Sequence, residues 1–256
     1  MTQRGSELAT RVVVGVALIG LALAALWAGG LGFWLLVVVA GLLMMGEWAN
    51  LAHAPEGHKR LAQYALCVPL AILAPGLAAG PGFLALGLTI GAAFFIGAAT
   101  RRPQLAGGAL YIGLPVLALV LLREQFGLLT TVWAMALVWA CDTGAYFAGR
   151  AIGGPKLAPA ISPNKTWAGF LGGVIAAGVF AALLVPFGLA LPLALATPLL
   201  AAIAQGGDLF ESHLKRVAGV KDSGNLLPGH GGVLDRLDGL VAVAPVAALL
   251  ALALAR

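Results

Sequence analysis

Between Asp208 and Asp238 the chain gathers five of its ten acidic residues, together with lysines, arginines and glycines. Asp208, Glu211, Ser212 and Lys215 recur at i, i+3, i+4 and i+7, the spacing of one helix face. Asp235 and Asp238 stand three apart at the start of the last apolar stretch. Hard carboxylate oxygens suit Mg²⁺, which takes one or two of them and completes its shell with substrate phosphates and water. Asp208 and Asp235 are the leading candidate metal ligands, with Asp238 as a third. Lys215, Arg216, Lys221 and Arg236 are suited to phosphate oxygens. The glycines flanking His230 let backbone N–H groups come close to an anion. The chemistry implied is Mg²⁺-assisted handling of phosphates. A solvated loop would account for Lys215 and Arg216 alone. It would not account for acids set beside apolar helices, which are costly there and mark a functional site by default.

The elements that must hold these groups are membrane helices. The 256 residues are 61% hydrophobic and only 10% charged, with a mean hydropathy of +1.00. A soluble domain carries about 25% charged residues. The expected fold is an all-α integral membrane protein in one bundle. Nine spans are expected, at 11–28, 31–52, 61–79, 82–99, 107–122, 127–149, 168–187, 191–212 and 233–255. Residues 11–122 form an N-terminal set of spans and 127–255 a catalytic half. A second span follows the first almost at once with no small-residue cleavage site between them, so the first is not expected to be a signal peptide. With this count, thirteen of the fifteen lysines and arginines fall on one side of the bilayer, leaving Arg123 and Arg256 on the other. The positive-inside rule makes the rich side cytoplasmic, with the N-terminus inside and the C-terminus outside. Glu47, Asp142 and Asp208 lie near cytoplasmic helix ends, and Glu124 alone among the acids lies outside. Cys67 and Cys141 sit in apolar segments, as small buried side chains do, and suggest neither a disulfide framework nor a metal site.

Two blocks of sequence resemble a known family. The first runs Ser212-His-Leu-Lys-Arg, then Lys221-Asp-Ser-Gly, then Pro228-Gly-His-Gly-Gly-Val-Leu-Asp-Arg-Leu-Asp238. The second runs Asp142-Thr-Gly-Ala-Tyr-Phe-Ala-Gly-Arg150, then Leu157-Ala-Pro and Ser162-Pro-Asn-Lys-Thr-Trp167. Both resemble the phosphatidate cytidylyltransferase (CDP-diacylglycerol synthase) family, over the half of the chain from about Val138 onward. After Thr166-Trp167 that family often carries Glu or Gln, whereas this chain has Ala168. The resemblance implies transfer of a cytidylyl group from CTP to phosphatidate, releasing pyrophosphate, at the cytoplasmic face of a bacterial plasma membrane. Asp222 and His230 enter as motif residues of the catalytic set with Asp208, Asp235, Lys221 and Asp238. Asp142, Ser162, Lys165, Ser212, Lys215, Arg216 and Arg236 enter as substrate contacts. Mg²⁺ is the expected cofactor, in a site of two cations whose second ion is left open; CTP and the membrane lipid are the partners, a homodimer is left open, and no nucleic acid is indicated.

Other readings carry less. A CTP-dependent polyprenol kinase or an ether-lipid cytidylyltransferase would share the nucleotide and differ in the acceptor. A transporter would spread its acids along a path through the bilayer rather than gather them on one side. Glu47, beside Trp48, reads as a neutral or paired carboxylate at the interface. His53 and His58 read as solvated loop residues, Trp167 as an interfacial anchor, and Gly172-Gly173 as a site of close helix packing.

Overall fold

The computed structural model describes the backbone of residues 2–227, 229 and 231–254, and side chains from Val14 onward. His230 therefore lies outside the described residues. These form nine α-helices: α1 (Thr2–Ala28), α2 (Gly30–Leu51), α3 (Glu56–Ile72), α4 (Phe83–Thr100), α5 (Pro103–Leu121), α6 (Gly127–Ile152), α7 (Trp167–Leu184), α8 (Leu191–Val217) and α9 (Leu234–Leu254). A π-helical turn at Leu122–Phe126 joins α5 to α6, and Gly127 at φ 77° breaks the axis there.

Six of the helical segments are long and apolar enough to cross a membrane, with Pro103–Ile152 counted as one run. Their surfaces invert the soluble pattern. Leu171, Ile175, Val179 and Leu183 recur every four residues along α7, and all are more than half exposed. Leu191, Leu195 and Leu199 repeat the stripe on α8. Apolar ridges this long, unpaired within the chain, fit hydrocarbon rather than water. The protein is an all-α membrane protein.

The third helix departs from expectation. It covers Glu56–Ile72, starting earlier and ending earlier than 61–79, because Pro75 and Gly76 follow its last turn. The stretch between α6 and α7 is not helical, since Pro155, Pro159 and Pro163 interrupt it. Instead β1 (Lys156–Ala158) and β2 (Ser162–Thr166) pair antiparallel, with Lys156 opposite Thr166 and Ala158 opposite Ser162. A two-stranded ribbon has only edge strands, where proline is tolerated.

Packing brings four helix ends to one place. α6 and α7 touch through Gly144 and Gly172, where a Cβ on Gly144 would lie 2.7 Å from the Gly172 carbonyl. A Cβ on Gly173 would lie 2.8 Å from the Cys141 carbonyl, so Gly172-Gly173 is a site of close helix packing, as expected. α8 and α9 meet at Gly207, where a Cβ would lie 2.7 Å from the Asp238 carbonyl. The C-terminal ends of α2, α6 and α8 and the N-terminal end of α9 thus share one end of the bundle. Trp48 anchors α2 there: its indole donates to the Gln104 carbonyl at 2.8 Å and stacks near Tyr111 and Phe210.

Candidate active site

The polar run folds back on the bundle end in two parts. α8 continues through Val217, so Asp208, Glu211, Ser212 and Lys215 do form one helical face. The segment after it is irregular and returns to α9, whose first turn carries Asp235. Lys215 bridges the two helices. Its Nζ lies 2.5 Å from Glu211 Oε2 and 2.7 Å from Asp235 Oδ1. Glu211 is fully buried, so this cation offsets two carboxylates held out of water.

Asp235 is the most heavily bonded carboxylate of the site. Its Oδ2 accepts from Ser223 N at 2.9 Å, Ser223 Oγ at 3.0 Å and Gly232 N at 2.8 Å. These donors, with Lys215 on Oδ1, fix both its position and its charge. A second ion pair lies alongside, Lys165 Nζ to Asp208 Oδ2 at 2.5 Å, bringing the β-hairpin onto α8. Ser212 Oγ donates to Asp208 Oδ1 at 3.3 Å.

Two cavities open at this end. A polar one of about 450 Å³ is walled by Trp139, Asp142, Asp208, Lys215, Asp222, Asp235, Arg236 and Asp238. A larger one of about 750 Å³ lies between α6, the β-hairpin, α7 and α8, and includes Tyr146, Arg150, Asn164, Lys165 and Gln205. Asp142 and Asp208 belong to both walls, so the two cavities adjoin across these side chains. The polar cavity sets five carboxylates against two cations. Such a wall repels a polyphosphate unless further positive charge enters with it.

The expected site residues divide accordingly. Asp142, Lys165, Asp208, Lys215, Asp222, Asp235, Arg236 and Asp238 converge on the paired cavities. Ser212 joins them through Asp208. Ser162, Arg216 and Lys221 line neither: Ser162 pairs with Ala158 in the hairpin, and Arg216 and Lys221 are exposed around the end of α8. Among the described residues, no three His, Cys, Asp or Glu side chains lie close enough to hold a metal by themselves.

One residue has a larger part than its sequence suggested. Glu47, on α2, is 6% exposed and reaches across the bundle to the start of α9. Its Oε1 accepts from Val233 N at 2.8 Å and its Oε2 from Leu234 N at 2.7 Å. Ser223 Oγ also lies 3.3 Å from Oε2. The first N–H groups of a helix lack intrahelical partners, and a side chain of the same segment usually supplies them. Here an acid from 186 residues away does so, and its charge suits the helix dipole. Gly232 makes room: a Cβ there would lie 2.7 Å from Glu47 Cδ. Ser223 links Glu47 to Asp235, so the second helix holds the carboxylate that Lys215 neutralises. The signal available in the sequence was an acid at the end of an otherwise apolar helix.

Comparison with known proteins agrees with this architecture. The profile of the Cytidylyltransferase family matches residues 9–254. The chain is 45% identical to a phosphatidate cytidylyltransferase of Brucella suis over 249 residues, covering 93% of this chain and 91% of that one. It is 32% identical to the enzyme of that name from Rickettsia prowazekii, over 92% of this chain and 88% of the other. With the Bacillus subtilis protein of that name it shares 46% identity over 146 residues, 54% of this chain. The apolar bundle, the paired cavities at its end and matches spanning nearly the whole sequence agree: this chain belongs to the cytidylyltransferase family.

Proposed function

We propose that this protein transfers the cytidylyl group of CTP to phosphatidate, giving CDP-diacylglycerol and pyrophosphate, for phospholipid biosynthesis. The observation that carries the reading is the convergence of Asp142, Asp208, Asp222, Asp235 and Asp238 with Lys215 and Arg236 on one cavity at the end of an apolar bundle. A phosphate monoester oxygen of the lipid attacks the α-phosphorus of CTP, that bond forms as the α–β bridge breaks, and pyrophosphate leaves. The nucleophile arrives ionised, so the protein's task is alignment and charge neutralisation rather than proton removal. Lys215 and Arg236 meet phosphate oxygens, and Lys165 does so from the adjoining cavity. Asp235, held by its donors and by Glu47 through Ser223, keeps Lys215 aimed.

The donor set fits Mg²⁺. Five carboxylates facing a polyanion call for divalent charge, and Mg²⁺ takes one or two carboxylates and completes its shell with phosphates and water. Asp208 and Asp235 are the residues that would hold it, with Asp238 on the same wall as the third candidate, and its contribution when bound would be to neutralise charge on the reacting phosphates. Thirteen of the fifteen cations on one side support nine spans, an inner N-terminus and a cytoplasmic active site in a bacterial plasma membrane.

The test uses purified protein in detergent. Pyrophosphate release from CTP is expected only with both phosphatidate and Mg²⁺ present, and EDTA is expected to stop it until Mg²⁺ is restored. A folded preparation that releases none overturns the reading. Release that persists in EDTA overturns the metal assignment alone.

A further inference from the structure

A lipid phosphate must present its headgroup to a polar cavity while its tails stay in hydrocarbon. One groove meets both needs. α1 is tied down near its C-terminal end, where Leu26 is 4% exposed and Arg123 Nε donates to the Leu26 carbonyl at 2.9 Å. Between Val14 and Ala25, α1 buries none of its described side chains. There an apolar groove of about 320 Å³ lies between α1 and helices α2, α5 and α9. Leu21 and Ala22 form one wall, Ala40 and Met44 another, and Val116 and Leu240 line it further. Among the described residues Arg236 is the one charged side chain lining it, and the same arginine lines the polar cavity. Leu227, from the segment that also carries Asp222, lines the groove as well.

We propose that this groove seats an acyl chain of the lipid phosphate substrate, with Arg236 at the junction where the headgroup passes into the polar cavity. The inference rests on the cytidylyl-transfer reading above. In a bilayer an apolar groove gains little by the hydrophobic effect, because lipid tails are as apolar as leucine. Its contribution is positional. A tail lying against α1 and α2 fixes the depth and direction from which the phosphate reaches the reaction, turning a diffusive encounter into an oriented one. Selection of the lipid comes from the junction, where a guanidinium favours an anionic headgroup. The volume falls at the lower end of the roughly 300–1,000 Å³ range of small-molecule pockets, which suits one chain rather than a whole lipid.

Ala40→Trp and Ala22→Trp fill the groove from opposite walls, and neither position lines the polar cavity. Each is expected to raise KM for dioleoyl phosphatidate about tenfold while leaving KM for CTP and turnover of dihexanoyl phosphatidate near wild type. In parallel, a phosphatidate bearing a diazirine near its acyl terminus is irradiated on the wild-type protein. Labelling is expected within residues 18–22 and 37–44, and to be competed by phosphatidate but not by phosphatidylcholine. Equal competition by phosphatidylcholine would mean a resident bilayer lipid and overturns the proposal. So do variants with unchanged kinetics toward both chain lengths. If the variants misfold, the wild-type labelling decides. A wild-type enzyme inactive toward every lipid phosphate would instead count against the parent reading, with labelling still reporting on the groove.

Discussion

Residues at the site do their work in pairs, and Lys215 belongs to two of them, with Glu211 and with Asp235. Helical spacing correctly joined Asp208, Glu211, Ser212 and Lys215 on one face, because that relation is local. Lys215, the expected phosphate contact, is held by Glu211 and by Asp235, the latter twenty residues on across an irregular segment. No local rule predicts such a partner. The consequence is measurable. Lys215→Met leaves the buried Glu211 facing Asp235 without compensation, an arrangement that costs about 3–5 kcal/mol. The thermal midpoint in detergent is expected to fall and turnover to vanish. Arg216→Ala, at an exposed position one residue away, is expected to change stability by no more than about 0.5 kcal/mol. Asp235→Asn tests the carboxylate itself. It keeps the size and removes the charge that aligns Lys215, so turnover is expected to fall about 10- to 100-fold while circular dichroism and gel filtration stay those of the wild type. Near-normal activity would remove Asp235 from the catalytic set.

Helices and ribbon are where tertiary context overrode the sequence. Most helices began and ended within a few residues of their expected limits, because glycine and proline punctuate the chain at nearly every break. The hairpin at Lys156–Ala158 and Ser162–Thr166 is not legible in the sequence, where the prolines exclude a helix without specifying a strand pair, and Pro163 is tolerated because both strands are edges. Glu47 was legible as a carboxylate kept in an apolar helix, and no more. Its partners, the N–H groups of Val233 and Leu234, lie at the far end of the chain. At this scale the expected outcome separates clamp from charge. Glu47→Ala orphans backbone donors at the start of α9, each costing about 1–3 kcal/mol, and lets the segment bearing Ser223 drift from Asp235. Both thermal stability and kcat are expected to drop, with KM for CTP less affected. Glu47→Gln keeps one acceptor and the shape, and is expected to recover most of the stability. Equal loss in both variants would point to the charge at the α9 N-terminus rather than to its positioning.

At the scale of the whole molecule, the chain's bulk property and its chemistry are separated in space. Apolar ridges such as Leu171, Ile175, Val179 and Leu183 face outward along the bundle, while acids and lysines gather at one end. That much could be read from hydropathy and from the uneven distribution of cations, because both are sums over many residues and tolerate errors at any one. The sidedness rests on the same sum, and direct labelling checks it. With Cys67 and Cys141, both free thiols, replaced by alanine, single cysteines are introduced at Lys156 and Glu124, two exposed positions. Lys156 lies in the hairpin beside the active site, and Glu124 in the turn between α5 and α6. A membrane-impermeant maleimide applied to intact spheroplasts is expected to modify Glu124→Cys and spare Lys156→Cys, and inverted vesicles are expected to reverse the pattern. Labelling of Lys156→Cys from outside would put the cation-rich face, and with it the cavity of five carboxylates, on the side of the membrane where no nucleotide pool exists, and the orientation would have to be abandoned.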